Sequence, residues 1–380
     1  MFRSWWKNTS KMLKIVQIIG LIVVIGLIVS FIGGYFFDWG WAGLGPYTSP
    51  PHTSSSEFQR GKTLWDWMQL LFIPIVLAVA GFWFNHRERK AAELRADAER
   101  KIAQDNQREL ALQEFFKNMS ELLLHENLRK SDEDAEVRTI ARVRTLTVLS
   151  GLDGRRKGSL VQFLNESGLI NQREKYIEKD CVIDLDGADL SKAKLSDTIF
   201  EKMIFRHSNL SEADLRECLL TDANLGQADL HNADLRKAAM EEACLVRANL
   251  RGADLREAGL IGADLQNADL REVNLSNAYL GKIEVIGGGV ARIETTNSAN
   301  LSEANLRKAI LVKADLTEAY LMNAILIEAN LQESRLFGAN LQGADLRKAN
   351  LSGATGTTPE QLAEAKSLQG AIMPNGSKHP

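Results

Sequence analysis

The sequence contains few of the residue types that form covalent cross-links or metal sites. Its 380 residues include only three cysteines, seven prolines and six histidines. Three cysteines are too few for a disulfide framework and are typical of a reduced compartment. The histidines, at 52, 86, 125, 207, 231 and 379, are scattered, and none pairs with another at metal-ligand spacing. The sequence therefore predicts no metal, no cofactor, no catalytic residues and a protein that is not an enzyme.

A strong excess of charge of either sign is also missing. The chain has 46 basic and 49 acidic residues, and its formal net charge is −3. Over 181–356 about 26 acidic side chains are mixed with about 19 basic ones. Because nucleic-acid binding and phosphate mimicry both need a strong charge of one sign, this balance does not indicate a nucleic-acid partner.

The abundant feature is a period of five residues, visible in the stretch "ADLHNADLRKAAMEEACLVRANL", which begins at Ala228. A helix advances by about 100° per residue, so residues five apart wind around the whole cylinder. A flat strand alternates its faces every second residue, and five is odd. The chain must therefore turn a corner in each repeat, with Ala and Leu inward. This pattern predicts a solenoid with one shared core.

The inward positions run by fives from Leu190 to Leu280 and Val285, and resume from Leu301 to Leu351. This gives about 31 repeats, and the second block is out of phase with the first by one residue. The irregular segment 286–298 separates the blocks. It is either a neutral insertion or a candidate interaction segment, whose residues would be Gly287, Gly288, Gly289, Arg292 and Glu294.

The A-(D/N)-L-x-x run over about 185–356 resembles the pentapeptide-repeat family. The resemblance implies an all-β, right-handed quadrilateral β-helix with four repeats per coil. It implies about eight coils and a rod about 38 Å long. Some family members bind and protect DNA gyrase, and many have no assigned role. The full layout also resembles uncharacterised bacterial, mainly cyanobacterial, membrane-anchored pentapeptide-repeat proteins.

Two apolar stretches predict an N-terminal membrane hairpin over 1–84, because each is long enough to cross about 30 Å of hydrocarbon. The first span is about 15–37, the loop is 38–63 and the second span is about 64–84, with Asp66 near one end. Positive charges flank the hairpin outside the loop, which predicts an integral membrane protein with both termini cytoplasmic, in a bacterial inner, plasma or thylakoid membrane.

One small-xxx-small stripe in the first span consists of Gly26, Ser30 and Gly34. Such a stripe lets transmembrane helices pack closely, although it also arises by chance in an apolar helix that contains glycine. Together with a self-associating stalk helix, it would make the protein a homo-oligomer. The alternative is a stalk helix that lies on the membrane or packs on its own domain.

Helical segments are predicted on both sides of the solenoid. A charged stalk helix covers 85–130, and a small helical adaptor over 131–180 begins at a capping box at Ser131 and covers the first coil. Its basic cluster, Arg155, Arg156 and Lys157, is either a solvated turn or a contact for an acidic lipid or partner. A second capping box, "TPEQ" from Thr358, begins a short helix in the C-terminal region 357–380.

These features favour a non-enzymatic, membrane-anchored scaffold whose rod binds an unidentified protein partner. Two alternatives follow from other parts of the pattern. By analogy with the gyrase-binding members, the rod would be a DNA-mimicking topoisomerase interactor, which the mixed charges disfavour. Alternatively, the hairpin would make the protein an accessory subunit of a membrane channel or signalling complex.

Overall fold

A computed structural model describes residues 64–132, 134–170, 181–281 and 297–380, with side chains from residue 74 onward. These described residues form four α-helices, which are α1 (Leu64–Leu124), α2 (Glu136–Gly151), α3 (Gly154–Glu166) and α4 (Pro359–Ala363). A single 3-10 turn, Leu128–Lys130, lies between α1 and α2. The chain divides into two compact units, Met1–Lys101 and Ile102–Pro380.

The first unit is described through the beginning of α1, which contains Pro74. The polar residues of this helix begin at Asn85 and continue toward its C-terminal end. A bilayer span needs about 20 consecutive apolar residues. In the described parts of the chain no helix meets that requirement.

The predicted localisation as an integral membrane protein with two spans is therefore wrong. The correction rests on the second span, 64–84, because the helix that contains it is not long and apolar enough in its described part. The first predicted span, 15–37, and the loop 38–63 lie outside the described residues. The same holds for the predicted packing residues Gly26, Ser30 and Gly34.

The repeat region forms a rod of stacked coils. Isolated parallel β-bridges join residues 20 apart, such as Asp229 with Asn249 and Asn249 with Asp269. The Leu230 N–H donates to the Asn249 carbonyl at 2.7 Å, and the Asn249 N–H donates to the Ala228 carbonyl at 2.9 Å. Since 20 residues make four pentapeptides, the coil has four sides, as the resemblance implied.

The core of the rod consists of the predicted inward residues. Leu and Ala pairs such as Leu250 and Ala253 are 0–1% exposed. Where larger rings replace leucine, Phe200 and Phe205 pack edge to face with centroids 5.3 Å apart. Cys218 takes an alanine position, and burial raises the pKa of its thiol to about 12. The five-residue period therefore identified the core correctly.

Each corner of the coil depends on two backbone features. The second residue after leucine adopts a left-handed conformation, for example Lys237 at φ 59° and Gly252 at φ 69°. The Asp or Asn before leucine accepts a hydrogen bond from the N–H two residues later, as Asp269 does from Arg271 at 3.2 Å. These side chains cap the turn, which explains the Asp and Asn preference at this position.

The break between the two blocks lies earlier than the sequence indicated. Bridged residues are normally 20 apart, but Asp264 pairs with Asn300, a separation of 36. The Ala299 N–H donates to the Leu280 carbonyl at 2.9 Å, the contact that the third residue after leucine makes in regular repeats such as Ala253 to Leu250. The inward run therefore ends at Leu280, and Ala299 continues it. The separation of 36 exceeds the usual 20 by three five-residue repeats and one further residue. That one residue accounts for the phase shift between the blocks.

At the N-terminal end, α3 lies on the first coil. The Lys194 N–H donates to the Gly154 carbonyl at 2.9 Å, and the Asn165 amide donates to the Ile199 carbonyl at 3.3 Å. Leu160 and Leu164 are fully buried. These contacts satisfy backbone groups of the first coil and cover its apolar interior.

The predicted capping box at Ser131 is wrong. Helix α2 begins at Glu136, and its N-cap residue, Ala135, makes no side-chain hydrogen bond to the helix. The Ser131 hydroxyl instead donates to the Leu128 carbonyl at 2.7 Å and accepts from Arg138 at 3.2 Å. Because these contacts occupy the hydroxyl, and Ser131 lies four residues before the N-cap, it does not cap α2.

The other end of the rod is also covered. The capping box predicted at Thr358 is present, with reciprocal bonds between Thr358 and Gln361. The Gln361 amide also donates to the carbonyls of Leu336 and Ala339 at 3.0 and 2.6 Å. Beyond α4, Ile372 bridges Asn350 in parallel and Lys378 in antiparallel orientation.

We expect Gly158→Ala to destabilise the adaptor, although alanine favours a helix by about 1 kcal/mol. A Cβ at this position overlaps the backbone carbonyl of Lys194, so α3 must move off the first coil. We expect a loss of about 1–3 kcal/mol in urea unfolding and faster amide exchange at Lys194.

The matched control is Gly151→Ala at the end of α2, where an added Cβ meets nothing within 4 Å. This variant should unfold at the wild-type urea concentration or above it. Equal midpoints for the two variants would contradict the placement of α3.

Candidate functional site

The outward side chains of successive coils form rows along the rod, with about 4.8 Å between neighbours. One row is a ladder of Asp–Arg pairs, in which each arginine bonds the aspartate two residues before it at 2.6–2.7 Å: Asp214 with Arg216, Asp234 with Arg236, and Asp254 with Arg256. Longer contacts join the rungs, from Arg216 to Asp234 at 3.5 Å and from Arg236 to Asp254 at 3.8 Å. The ladder is therefore one continuous network of alternating charge.

Pairing with arginine lowers the carboxyl pKa of two aspartates in this ladder. The hydrogen bond from Arg216 lowers the pKa of Asp214, and that from Arg236 lowers the pKa of Asp234. Both carboxylates therefore stay ionised and locally neutralised at neutral pH. This row presents balanced charge to a partner.

In a second row, side-chain amides of asparagine donate hydrogen bonds to aspartates one coil away. The Asn209 side chain donates to Asp189 at 3.3 Å, and the Asn249 side chain donates to Asp229 at 2.8 Å. Alternation of Asp and Asn separates like charges that would otherwise lie one coil apart. In each Asp–Asn pair the carboxylate therefore accepts a hydrogen bond from the asparagine of the next coil.

A shallow depression of about 180 Å³ lies along the Asp–Arg ladder, lined by Arg216, Glu217, Arg236, Lys237, Arg256 and Glu257. Small-molecule sites typically enclose about 300–1,000 Å³ and are mostly apolar. The size and charge of this depression fit a contact with a protein surface better than a site for a small ligand.

The predicted basic cluster lies in the first turn of α3, where two of its three side chains have partners within the chain. Arg156 pairs with Asp105 at 2.8 Å and with Glu109 at 2.9 Å, both on α1, and also with Asp153. Lys157 is buried and pairs with Asp189 of the first coil at 3.0 Å. The third residue, Arg155, is exposed. The cluster thus joins α1, α3 and the rod.

The candidate interaction residues Gly287, Gly288, Gly289, Arg292 and Glu294 lie outside the described residues. The residues on either side of this gap are held against the next coil. Gly281 is packed so closely on Thr317 that an added Cβ would lie 2.6 Å from its backbone nitrogen. On the other side, the Ser298 hydroxyl donates to the Glu318 carbonyl at 2.8 Å.

The sequence analysis missed one row, because that row is visible only when positions 20 apart are compared. On one side of the coil, the bridge position before leucine is never charged in five successive coils. Its residues are Ile199, Leu219, Ala239, Gly259 and Tyr279. We call this row the apolar face. The signal in the sequence is an apolar or small residue where Asp or Asn is usual.

Along one edge of the apolar face, Asp222, Glu241 and Glu242 are close together. Burial, followed by the charge of Asp222 one coil away, raises the pKa of Glu242. Glu242 thus differs from Asp214 and Asp234 of the Asp–Arg ladder, where an arginine lowers the carboxyl pKa. The edge therefore carries net negative charge.

Comparison with known proteins identifies the repeat. The family model for pentapeptide repeats matches in eight copies, over 183–222, 213–252, 248–282, 299–336 and 334–357. The matches stop and resume around the gap between Leu280 and Ala299. A search of curated proteins found no match to the chain.

Several solved structures are similar in sequence. HetL, a pentapeptide repeat protein involved in heterocyst differentiation regulation from the cyanobacterium Nostoc sp. strain PCC 7120, is 34% identical over 58% of this chain and 98% of its own, with a TM-score of 0.30. Rfr23 from the cyanobacterium Cyanothece 51142 is 38% identical over 27% of this chain and 58% of its own, with a TM-score of 0.22.

A third structure, that of QnrB1, a plasmid-mediated fluoroquinolone resistance protein, is 18% identical over 51% of this chain and 84% of its own, with a TM-score of 0.27. Because all three TM-scores are below 0.5, the family assignment rests on the repeat model and on the sequence identity with HetL.

We expect Arg156→Gln to weaken the packing of α3 on α1, because it removes charge-assisted bonds to Asp105 and Glu109. The hydrogen bond and charge of Arg156 lower the pKa of Asp105 in the folded protein. This stabilisation is therefore present above the ordinary Asp pKa of about 3.9 and is lost as the pH falls through the lower folded value. The urea midpoint should fall at pH 7, and the difference from wild type should shrink in acid.

The control is Arg155→Gln, one residue earlier and exposed, which should leave the midpoint unchanged. If both variants lose the same stability at pH 7, net charge rather than the Arg156 contacts would be responsible.

We expect Glu242→Gln to raise the melting temperature at pH 7 by about 1 °C. A raised folded pKa means that the ionised form destabilises the native state, so the gain should vanish as the pH falls below the ordinary Glu value of about 4.3. Calorimetry at pH 7 and pH 4 measures both effects.

Glu257 occupies the matching turn position on another corner, with Lys237 one coil away, so Glu257→Gln is the control. An equal gain from this control would show that relief of net charge alone stabilises the rod.

Proposed function

The chain belongs to the pentapeptide-repeat family, and from that premise we propose that it is a protein-interaction scaffold without enzymatic activity. The observation that carries the proposal is the Asp–Arg ladder, because it holds outward charges in fixed positions along a stiff core. Preorganised side chains lose little conformational entropy when a partner binds. The rod therefore suits recognition of a folded protein surface.

The same ladder weighs against DNA mimicry toward a topoisomerase. A DNA mimic presents closely spaced negative charges that nothing neutralises. In the ladder each aspartate is paired with an arginine at 2.6–2.7 Å, so the row does not reproduce a line of phosphates.

The test is affinity capture with the full chain as bait, followed by reconstitution of the purified pair. We expect one protein to be retained in stoichiometric amount. Two exchange variants locate the binding row without changing net charge: Glu217→Lys with Lys237→Glu on the ladder corner, and Glu328→Lys with Lys348→Glu on another. All four positions have φ of 58–60°, where both residue types already occur. Loss of the partner from one variant only would support binding through a row.

Two results would refute the scaffold proposal. The first is capture of no protein above an unrelated bait of equal net charge. The second is equal capture by wild type, by both exchange variants and by heat-unfolded chain. Inhibition of DNA supercoiling by the purified chain would instead support the topoisomerase alternative.

A further inference from the structure

The apolar face differs from two other faces in the same coils. At the equivalent bridge positions, one neighbouring face carries Asp214, Asp234 and Asp254. The face on the opposite side of the coil carries Asp229 and Asn249. On the apolar face, Ile199 is 47% exposed, Leu219 38% and Tyr279 52%. A row of five such positions is about 19 Å long, at one coil per about 4.8 Å.

The middle of the apolar face is lower than its ends. Ala239 and Gly259 lie between the larger side chains of Leu219 and Tyr279, and their small size leaves a saddle. The Glu241 carboxylate extends into it, since it occupies the space that a Cβ on Gly259 would take. A negative charge is therefore held over the centre of an otherwise apolar surface.

The two edges of the apolar face differ in how their charges are compensated. On one edge, Arg216, Arg236 and Arg256 are bound by the aspartates of the ladder. On the other, the polar contact of Glu241 is the Thr221 hydroxyl at 3.4 Å, and Glu242 faces the like charge of Asp222. Among the described residues, none of these three acids forms an ion pair with a cationic side chain. A partner can therefore supply the cations with which these three carboxylates pair.

We infer that the apolar face and its acidic edge form the docking surface for a basic amphipathic helix of a partner protein. The inference rests on the proposed scaffold function and specifies its site. Apolar side chains of the helix pack on Leu219 and Tyr279 at the two ends of the saddle. Its Lys or Arg residues pair with Glu241, whose carboxylate lies in the saddle, and with Glu242. Binding also relieves the repulsion between Asp222 and Glu242.

A helix fits this surface better than an added strand. The backbone N–H and C=O groups of the five coils already bond to the coils above and below, so a strand finds no free ladder there. A helix of about 13 residues spans 19 Å, and its turns of 5.4 Å are close to the coil spacing. One apolar residue per turn therefore meets about one coil.

The test uses a labelled peptide of about 18 residues, built from Leu and Lys with helical periodicity, and a Leu/Glu peptide of the same pattern. Fluorescence anisotropy measures binding of each to the full chain. We expect the Leu/Lys peptide to bind in the micromolar range and the Leu/Glu peptide to bind at least tenfold more weakly. Binding of the Leu/Lys peptide should weaken at least tenfold in Leu219→Asp and in the double variant Glu241→Lys, Glu242→Lys.

The fold should tolerate Leu219→Asp, because aspartate already occupies the equivalent bridge position at Asp214 and Asp234. The control is Ile310→Asp, which makes the same change at a bridge residue that is 39% exposed on another face. It should keep the wild-type affinity within about twofold. Circular dichroism melts of the variants check that the rod is intact.

Three results would overturn the inference: equal affinity of wild type and both apolar-face variants, equal binding of the Leu/Glu peptide, or a dimer of the full chain in sedimentation that Leu219→Asp abolishes. The last would assign the face to a second copy. If a captured partner still binds the apolar-face variants, the docking site is wrong while the scaffold function stands.

Discussion

The hydrogen bonds between successive coils are the constraint on which the rest of the rod depends. Each side of a coil uses its leucine N–H toward the next coil and its bridge residue N–H toward the previous one, as Leu230 and Asn249 do. To repeat this in five residues the chain must turn at every side. This explains the left-handed residue at each corner and the Asp or Asn that caps it. It also explains the alanine, because two inward side chains share each side and only one can be large.

The same constraint determines how the protein can be recognised. Where the backbone N–H and C=O groups already bond to the coils on both sides, a partner can form new contacts only with side chains. Free backbone groups of a solenoid occur at its ends, and here α3 lies on the first coil while α4 and the bridge of Ile372 to Lys378 lie at the last. Rows of outward side chains therefore determine binding specificity, and neighbouring residues of one row are 20 apart in the sequence.

The sequence predicted the parts of the fold that depend on local periodicity. The five-residue period identified the turning coil and the buried Leu and Ala. The sequence did not predict which residues a side chain outside the repeats contacts. Arg156 appeared as part of an exposed basic cluster, yet its partners Asp105 and Glu109 are about 50 residues away on another helix. The Ser131 hydroxyl likewise bonds groups on both sides of it rather than capping α2.

The break after Leu280 shows why the rows can differ while the core stays regular. Ala299 takes the next inward position, so leucine and alanine continue through the break without a gap in the core. Outward residues are under no such restriction. Before the break the apolar face ends at Tyr279, and in the next coil the bridged residue is Asp315. Because the core restricts only the two inward residues of every five, the chemistry of a face can change from one coil to the next at little cost to stability. That freedom lets one regular rod hold an apolar face with an acidic edge beside a fully paired ladder of charges.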